Sequence, residues 1–79
     1  MMNRTDVFNK VQEVFREVLE DEELIIKEDY NSEDIDDWDS LTHIMLVVEI
    51  EKTFNMRFLS SEISNWKDIG AMITAIKSK

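Results

Sequence analysis

The 79-residue chain contains no cysteine, no proline, one glycine and one histidine. Without cysteine, it can form neither a disulfide framework nor a thiolate metal site. A single imidazole excludes a zinc site built from several histidines, and a single glycine excludes a glycine-rich phosphate loop. Because turns in small all-β domains are usually marked by proline and glycine, their scarcity argues against that class.

Positive charge is also scarce. Nine Lys and Arg residues stand against eighteen Asp and Glu residues, so the formal net charge is −9. This excess of negative charge argues against binding to nucleic acid or insertion into an anionic membrane, and it favours a monomer. The chain has no apolar run of the roughly 20 residues that span a bilayer. Residues 1–6 contain no apolar signal region, so we expect a cytoplasmic protein.

The negative charge is concentrated in one part of the chain. Residues 20–39 contain eleven acids and one base, a sum of −10, which leaves +1 for the other 59 residues. The apolar fraction is 43%, which is enough for a small hydrophobic core. We therefore expect one folded domain over residues 1–79, with a strongly acidic segment inside it.

Apolar residues at helical spacing predict a first helix. They recur three and four positions apart from Val7 to Leu19, and either Asn3 or Thr5 can cap the start. Acids crowd the carboxyl end of this helix, where the helix dipole disfavours negative charge. We therefore expect the helix to fray near Asp21.

Residues 24–38 have no sustained period and predict a long loop. Large apolar side chains spaced along it are expected to hold it to the core: Leu24, Ile26, Tyr30 and Ile35. Trp38 is either a further anchor or a cover for a group attached at the start of the next helix. A loop of this length inside a small domain is unusual and is often functional.

A second helix is predicted to begin at Asp39 or Ser40 and to end at Asn55 in a left-handed conformation. Asp39 is a good N-cap because its carboxylate can accept hydrogen bonds from the free N–H groups of the first turn. Apolar residues cover more than half of the helix circumference. The helix is therefore either central in the bundle or presents an apolar strip to a partner.

The remaining residues predict two more helices. Residues 60–64 form a short helix, and residues 66–77 form a last helix capped by Ser64 or Asn65. Gly70 either weakens the last helix or allows close packing. The predicted fold is all-α, a small four-helix bundle with three main helices, one short helix and a long first loop.

Catalysis by the chain alone is not expected. His43 lies three residues after Ser40 on roughly the same helix face. No preorganised oxyanion hole is evident, so we expect an exposed surface histidine and no enzyme activity. The acidic loop does not fit an EF-hand, since Asp34 occupies the glycine position in one register. We predict no specific metal site; loose association with Mg²⁺ or Ca²⁺ and a merely solvated charged face both stay open.

The most specific feature is the tripeptide Asp39-Ser40-Leu41, which lies between the acidic loop and an apolar helix. Here the sequence resembles the acyl carrier protein and peptidyl carrier protein superfamily. Residues 49–58 are similar to the end of that family's second helix, and residues 66–76 are similar to its last helix. The resemblance covers nearly the whole chain, which would form a single acyl-carrier domain.

The resemblance implies a covalent cofactor. The hydroxyl of Ser40 would receive 4′-phosphopantetheine from coenzyme A through a phosphopantetheinyl transferase. The thiol of that arm would carry acyl or aminoacyl groups as thioesters for the loading enzymes, synthases and transferases of fatty-acid, polyketide or related specialised biosynthesis. Asp39 would contact the transferase as well as cap the helix, and Leu41 completes the motif. Candidate residues for sheltering an acyl chain between the helices are Leu46, Val47, Ile50, Phe54, Ile63, Ile69 and Ile73.

The chain departs from the carriers of primary fatty-acid synthesis beside this motif. Thr42 and Met45 stand where those carriers usually have acids, and Trp38 precedes the motif. A less acidic and more apolar partner surface favours a discrete carrier of a specialised pathway. The alternative from another class is an unmodified acidic helical module that binds a partner through Ile44, Met45 and Val48.

Overall fold

The computed structural model describes residues 3–79, and its helices follow the predicted order. They are α1 (Arg4–Val18), α2 (Ser40–Phe54), α3 (Ser60–Ser64) and α4 (Ile69–Lys77). None of the described residues forms a strand, which confirms the predicted all-α fold with three main helices and one short helix. The expectation that residues 1–6 contain no signal region includes Met1 and Met2, which lie outside the described residues.

A hydrophobic core joins the main helices and the first loop. α1 packs against both α2 and α4. The largest fully buried side chains come from all three main helices and include Phe15, Leu46, Ile50, Ile69, Met72 and Ile73. Among the described residues, no helix combines the length and the apolar character that crossing a bilayer requires.

α1 begins and ends through local hydrogen bonds. Asn3, one of the two predicted caps, accepts a hydrogen bond from a backbone N–H of the first turn at 2.8 Å. The helix ends at Val18, and Glu20 takes the left-handed conformation with a φ of 54°. The N–H of Asp21 then donates to the carbonyl of Arg16 at 3.0 Å. The chain therefore leaves the helix in a hydrogen-bonded turn at Asp21, and the predicted fraying there stays a prediction.

The long first loop, residues 19–39, is held to the core by the predicted anchors. Ile26, Ile35 and Trp38 are buried, and Leu24 and Tyr30 pack against the core while partly exposed. The loop therefore follows the surface of the bundle closely, although it has no regular secondary structure. Its last buried residue brings the chain to the start of α2.

Gly70 lies in the first turn of α4, where the loop comes close. Its N–H donates to the carbonyl of Glu28 at 2.7 Å. Nε of Arg4 lies 3.0 Å from both carboxylate oxygens of Glu28, and this hydrogen bonding lowers the pKa of Glu28. A Cβ at position 70 would lie 3.1 Å from that carbonyl oxygen. Of the two predicted roles of Gly70, the structure therefore supports close packing.

Gly70→Ala is expected to destabilise the fold by about 1 to 2 kcal/mol. Alanine is the better helix former, but its methyl group would press on the Glu28 carbonyl oxygen, which already accepts a hydrogen bond from the N–H of residue 70. Urea denaturation followed by circular dichroism measures the change. Ala71→Gly on the same helix is the control for propensity alone. A Gly70→Ala variant more stable than the wild type would show that propensity outweighs the contact.

α2 fulfils both predicted alternatives, because it is central in the bundle and also exposes an apolar surface. It buries Leu46, Val47 and Ile50, and Asn55 ends it in the predicted left-handed conformation with a φ of 52°. Its exposed side carries four large apolar side chains, here called the α2 strip: Leu41, Ile44, Met45 and Val48.

The predicted start of the last helix is wrong. α4 begins at Ile69, and its cap is Asp68, whose carboxylate accepts a hydrogen bond from the N–H three residues on at 2.8 Å. The predicted caps, Ser64 and Asn65, donate from their side chains back to carbonyls of α3 at 2.8 and 3.0 Å. They therefore close α3, and Trp66 lies between α3 and α4.

Candidate functional site

Asp39 and Thr42 close a turn around Ser40. The carboxylate of Asp39 accepts a hydrogen bond from the backbone N–H of Thr42 at 2.9 Å, and the Thr42 hydroxyl oxygen accepts one from the N–H of Asp39 at 2.8 Å. The same hydroxyl donates to the carbonyl of Asp37 at 2.8 Å. These bonds hold the backbone on both sides of Ser40, so the position of Ser40 is set within the chain itself.

Asp39 stays ionised in this turn. The hydrogen bond from the Thr42 backbone lowers the pKa of Asp39 from its ordinary value of 3.8, although partial desolvation opposes the shift. Stabilisation by this cap is therefore complete above about pH 3.8 and is lost as the pH falls through the lower pKa of the folded state. At neutral pH a carboxylate beside Ser40 can attract a cation or a basic group of a partner.

The side chain of Ser40 is exposed, and its hydroxyl forms no hydrogen bond within residues 3–79. Ser40 is the first residue of α2. At this position the backbone N–H groups have no intrahelical partner and the helix dipole is positive. Both features favour a phosphate ester on the serine oxygen, and the exposure leaves that oxygen open to a large enzyme.

Trp38 anchors this turn in the core. Its side chain is 5% exposed, and its ring lies edge-on against Phe15 with the centroids 5.1 Å apart. Its indole N–H donates to Nδ1 of His43 at 3.1 Å, and the two rings are nearly parallel. Trp38 therefore ties the loop to the core and to the face of α2 that carries His43.

The prediction that His43 is an exposed surface residue is wrong. It is partly buried between two indoles, with its ring centroid 6.0 Å from that of Trp38 and 6.4 Å from that of Trp66. Because Nδ1 accepts the hydrogen bond from Trp38, the proton of the neutral ring is assigned to Nε2. Neither ring nitrogen then has a free lone pair that could accept the hydroxyl proton of Ser40. The described part of the chain accordingly shows no hydrogen bond between Ser40 and His43, which argues against a catalytic dyad.

His43 is expected to titrate below its ordinary pKa of 6.5, because burial disfavours the charged ring. A group whose pKa is depressed in the folded state stabilises the fold above its unfolded pKa. That contribution is lost as the pH falls through the folded value. We therefore expect the fold to lose stability below about pH 6.5. An NMR titration of the single imidazole measures the pKa directly.

His43→Asn is the matched control for this titration, since its side-chain oxygen can still accept the hydrogen bond from Trp38. The difference in unfolding free energy between the wild type and this variant should change with pH in the range where His43 titrates. A pKa of His43 at or above the ordinary value would contradict its burial between the indoles.

An open cleft of about 520 Å³ begins at Ser40. It lies between the start of α2 and the segment that runs from α3 to α4. Its walls include Trp38, Asp39, His43, Ile63, Trp66 and Lys67. Of the seven residues predicted to shelter an acyl chain, Ile63 is the one that lines this cleft. Phe54 is partly buried outside it, and the other five lie in the core.

Trp66 is a cleft residue that the sequence did not link to Ser40. Its side chain is 7% exposed, and its ring lies edge-on against Phe58 with the centroids 4.8 Å apart. Its indole Nε1 is buried and has no hydrogen-bond partner among residues 3–79. The sequence predicted Trp66 as the first residue of the last helix. No local pattern indicates its contact with His43, because that contact forms only when the α3–α4 segment packs on α2.

The α2 strip starts at the residue after Ser40. Leu41 and Ile44 are 68% and 62% exposed, and Met45 and Val48 are 46% and 44% exposed. Contiguous large apolar side chains on the surface of a small domain usually mark a contact with another molecule. The strip therefore lies where a partner that reaches Ser40 would touch α2.

The acidic loop does not converge on a metal site. No group of three or more His, Asp or Glu side chains within residues 3–79 is placed to hold a metal ion. Asn31 and Asp34 instead stabilise a turn, because each accepts a backbone N–H of this loop through its side chain. Loose association of Mg²⁺ or Ca²⁺ with the loop stays a prediction.

Comparison with known proteins supports the acyl carrier protein superfamily. The chain is similar to the solution NMR structure of holo acyl carrier protein from Geobacter metallireducens, with a TM-score of 0.86 and 27% sequence identity. The match covers 92% of this chain and 84% of that one. No protein-family model and no curated protein matches the sequence. The fold is therefore that of an acyl carrier protein.

Proposed function

We propose that this chain is a carrier protein that holds a 4′-phosphopantetheine arm on Ser40. The observation that carries the proposal is the exposed and unbonded Ser40 hydroxyl at the capped start of α2, in a fold that matches a holo acyl carrier protein. The residues around Ser40 fit a 4′-phosphopantetheine arm. The first turn of α2 offers free N–H groups to a phosphodiester, and a cleft leads away from the same serine.

Attachment of the arm is a phosphoryl transfer. The Ser40 oxygen attacks the phosphorus of coenzyme A that bears pantetheine, a P–O bond to serine forms, and the pyrophosphate P–O bond breaks. Adenosine 3′,5′-bisphosphate leaves, and the serine proton passes to a base. His43 cannot be that base, because Trp38 occupies its Nδ1 and Nε2 carries the proton. We assign the base to the transferase, and Asp39 offers its carboxylate to the same enzyme.

The arm, when present, supplies a thiol that carries acyl or aminoacyl groups as thioesters. This chain contributes position and recognition. The turn at Asp39 fixes the attachment point, and the α2 strip with the neighbouring acids forms the surface that partners meet. Charge complementarity of this kind raises association rates and selects partners more than it adds affinity.

We further propose a specialised pathway over primary fatty-acid synthesis. Thr42 closes the helix cap where fatty-acid carriers usually place an acid, and Met45 adds apolar surface to the α2 strip. Partners that recognise an apolar strip differ from those that read a row of acids. Efficient loading by a fatty-acid malonyl transferase, together with rescue of a strain that lacks its own carrier, would contradict this assignment.

The exposed α2 strip also supports a second candidate, an unmodified module that binds a partner protein. Incubation with coenzyme A and a broad-specificity phosphopantetheinyl transferase separates the two functions. The carrier is expected to gain the mass of one phosphopantetheine, as read by intact mass spectrometry. If no mass is gained while a control carrier is fully converted, the interaction module is the better description.

A further inference from the structure

The cleft at Ser40 is the space that an attached arm enters first, and six of its nine lining residues have polar side chains, beside two indoles and one isoleucine. Ser40 and Asp39 line it from the side of α2, and Ser64 and Lys67 line it from the α3–α4 segment. Ile63 is the only aliphatic side chain among the described residues that line it. Such walls favour a ligand with hydrogen-bonding groups along its length over a bare alkyl chain.

Trp38 and Trp66 belong both to the wall of the cleft and to the core. Each indole packs edge-on against a phenylalanine ring, Trp38 on Phe15 and Trp66 on Phe58. His43 lies between the two indoles and is hydrogen-bonded to Trp38. These three rings form a barrier between the cleft and the interior of the bundle, here called the ring barrier.

The aliphatic interior lies behind the ring barrier. Leu46, Ile50, Ile69 and Ile73 are 0% exposed, and none of them lines the cleft. An alkyl chain that entered the bundle from Ser40 would have to displace an indole from its phenylalanine partner and from the core. That displacement would expose a large aromatic surface to water and would undo the packing that holds the loop.

Trp66 also offers an unused hydrogen-bond donor. Its Nε1 is buried and has no acceptor within residues 3–79, although its ring lines the cleft. A buried indole N–H without an acceptor is unfavourable. Because indole nitrogen can only donate a hydrogen bond, only an acceptor atom can satisfy it. A carbonyl or hydroxyl oxygen of a ligand that reached Nε1 would satisfy this group. A methylene chain would not.

Building on the proposed attachment at Ser40, we propose that this carrier keeps its cargo outside the bundle and serves short acyl groups with polar substituents. The amide-bearing arm lies in the cleft, and an oxygen of the arm or of its short cargo accepts the N–H of Trp66. The ring barrier keeps a long alkyl chain out of the core, so such a chain stays in water.

The test compares cargoes of different length and polarity on the whole protein. A broad-specificity transferase loads Ser40 from butyryl-, hydroxybutyryl- and decanoyl-coenzyme A, and intact mass confirms each product. The butyryl and decanoyl forms are expected to melt at the same temperature, and the decanoyl form is expected to be retained longer on a hydrophobic matrix. The indole proton of Trp66 is expected to shift on loading, most with hydroxybutyryl, while that of Trp38 keeps its position.

Two variants of Trp66 separate the barrier from the donor. Trp66→Phe keeps an aromatic ring but removes the N–H, so its melting temperature should still not depend on chain length. Trp66→Ala opens the barrier, so the decanoyl form of this variant should melt higher than its butyryl form. If Trp66→Ala does not fold, the wild-type series and Trp66→Phe decide the question.

The outcomes distinguish this inference from the function on which it rests. If no cargo is attached to Ser40, both are overturned. If every cargo is attached but the wild-type melting temperature rises with chain length and retention on the matrix does not, only the exclusion of long chains is overturned. An unchanged Trp66 indole signal on loading would overturn the role of its N–H.

Discussion

Ser40→Ala is expected to abolish the mass gain that coenzyme A and a phosphopantetheinyl transferase produce on the wild-type chain. Alanine has no oxygen to bond to phosphorus, so the loss should be complete within the detection limit of intact mass spectrometry. The fold should survive, because the Ser40 hydroxyl is exposed and forms no hydrogen bond within residues 3–79. Circular dichroism and a melting curve check that point on the same sample.

Ser60→Ala is the matched control. Ser60 is also exposed and is also the first residue of a helix, α3, but its N-cap is Leu59 and the acid of this turn is Glu62, two residues after the serine. This variant should be modified as fully as the wild type. A mass gain that persists in Ser40→Ala and disappears in Ser60→Ala would place the arm on the wrong helix and contradict the proposed site.

Trp38→Ala is expected to have the largest effect on stability, a loss of roughly 3–5 kcal/mol in the free energy of unfolding. The indole is 5% exposed, packs on Phe15 and donates to His43. A small domain has a total free energy of unfolding of about 5–15 kcal/mol, so this loss would remove a large share of the stability. Urea denaturation followed by circular dichroism gives the value.

Trp38→Phe and Ile25→Ala are the comparison variants for the stability of Trp38→Ala. Phenylalanine keeps a ring against Phe15 but cannot donate to His43, so we expect a smaller loss and a changed His43 titration. Ile25 lies in the same loop but is 66% exposed, and its truncation should change stability little. If Trp38→Ala were as stable as Ile25→Ala, the loop would not be held by Trp38 as the structure shows.

Trp38→Ala should also slow attachment at Ser40 more than Trp38→Phe does. The transferase meets a turn whose geometry depends on the residue just before Asp39, and a mobile turn presents the hydroxyl in fewer productive orientations. Measuring the rate under conditions where each variant remains folded keeps this effect apart from the loss of stability.

The start of α2 and the anchors of the first loop could be predicted because their causes are local. Asp39 caps α2 through an N–H only three residues away, and Asn55 ends the same helix through its own left-handed backbone. Ile35 is a large apolar residue in an otherwise polar stretch, so its burial follows from composition. In each case the prediction depends only on residues that are close together in the sequence.

The start of α4 was missed because two local signals competed. Ser64 and Asn65 are good cap residues, but their side chains bond back to α3, while Asp68 takes the cap of α4. A helix that starts at Trp66 and one that starts at Ile69 both fit the pattern of apolar residues, because Trp66 is buried whether or not it is helical. The bonds of Ser64 and Asn65 to carbonyls of α3 and the cap by Asp68 distinguish the two.

The sequence by itself determined the helix order, the concentration of acids before α2 and the position of Ser40 at the head of that helix, because caps and periodicity act within a few residues. Only the tertiary structure decided that His43 lies between Trp38 and Trp66 and that a cleft opens at Ser40. The contact of Trp66 with His43 joins chain segments far apart in sequence. It arises from packing the α3–α4 segment on α2, and no short-range pattern encodes that approach.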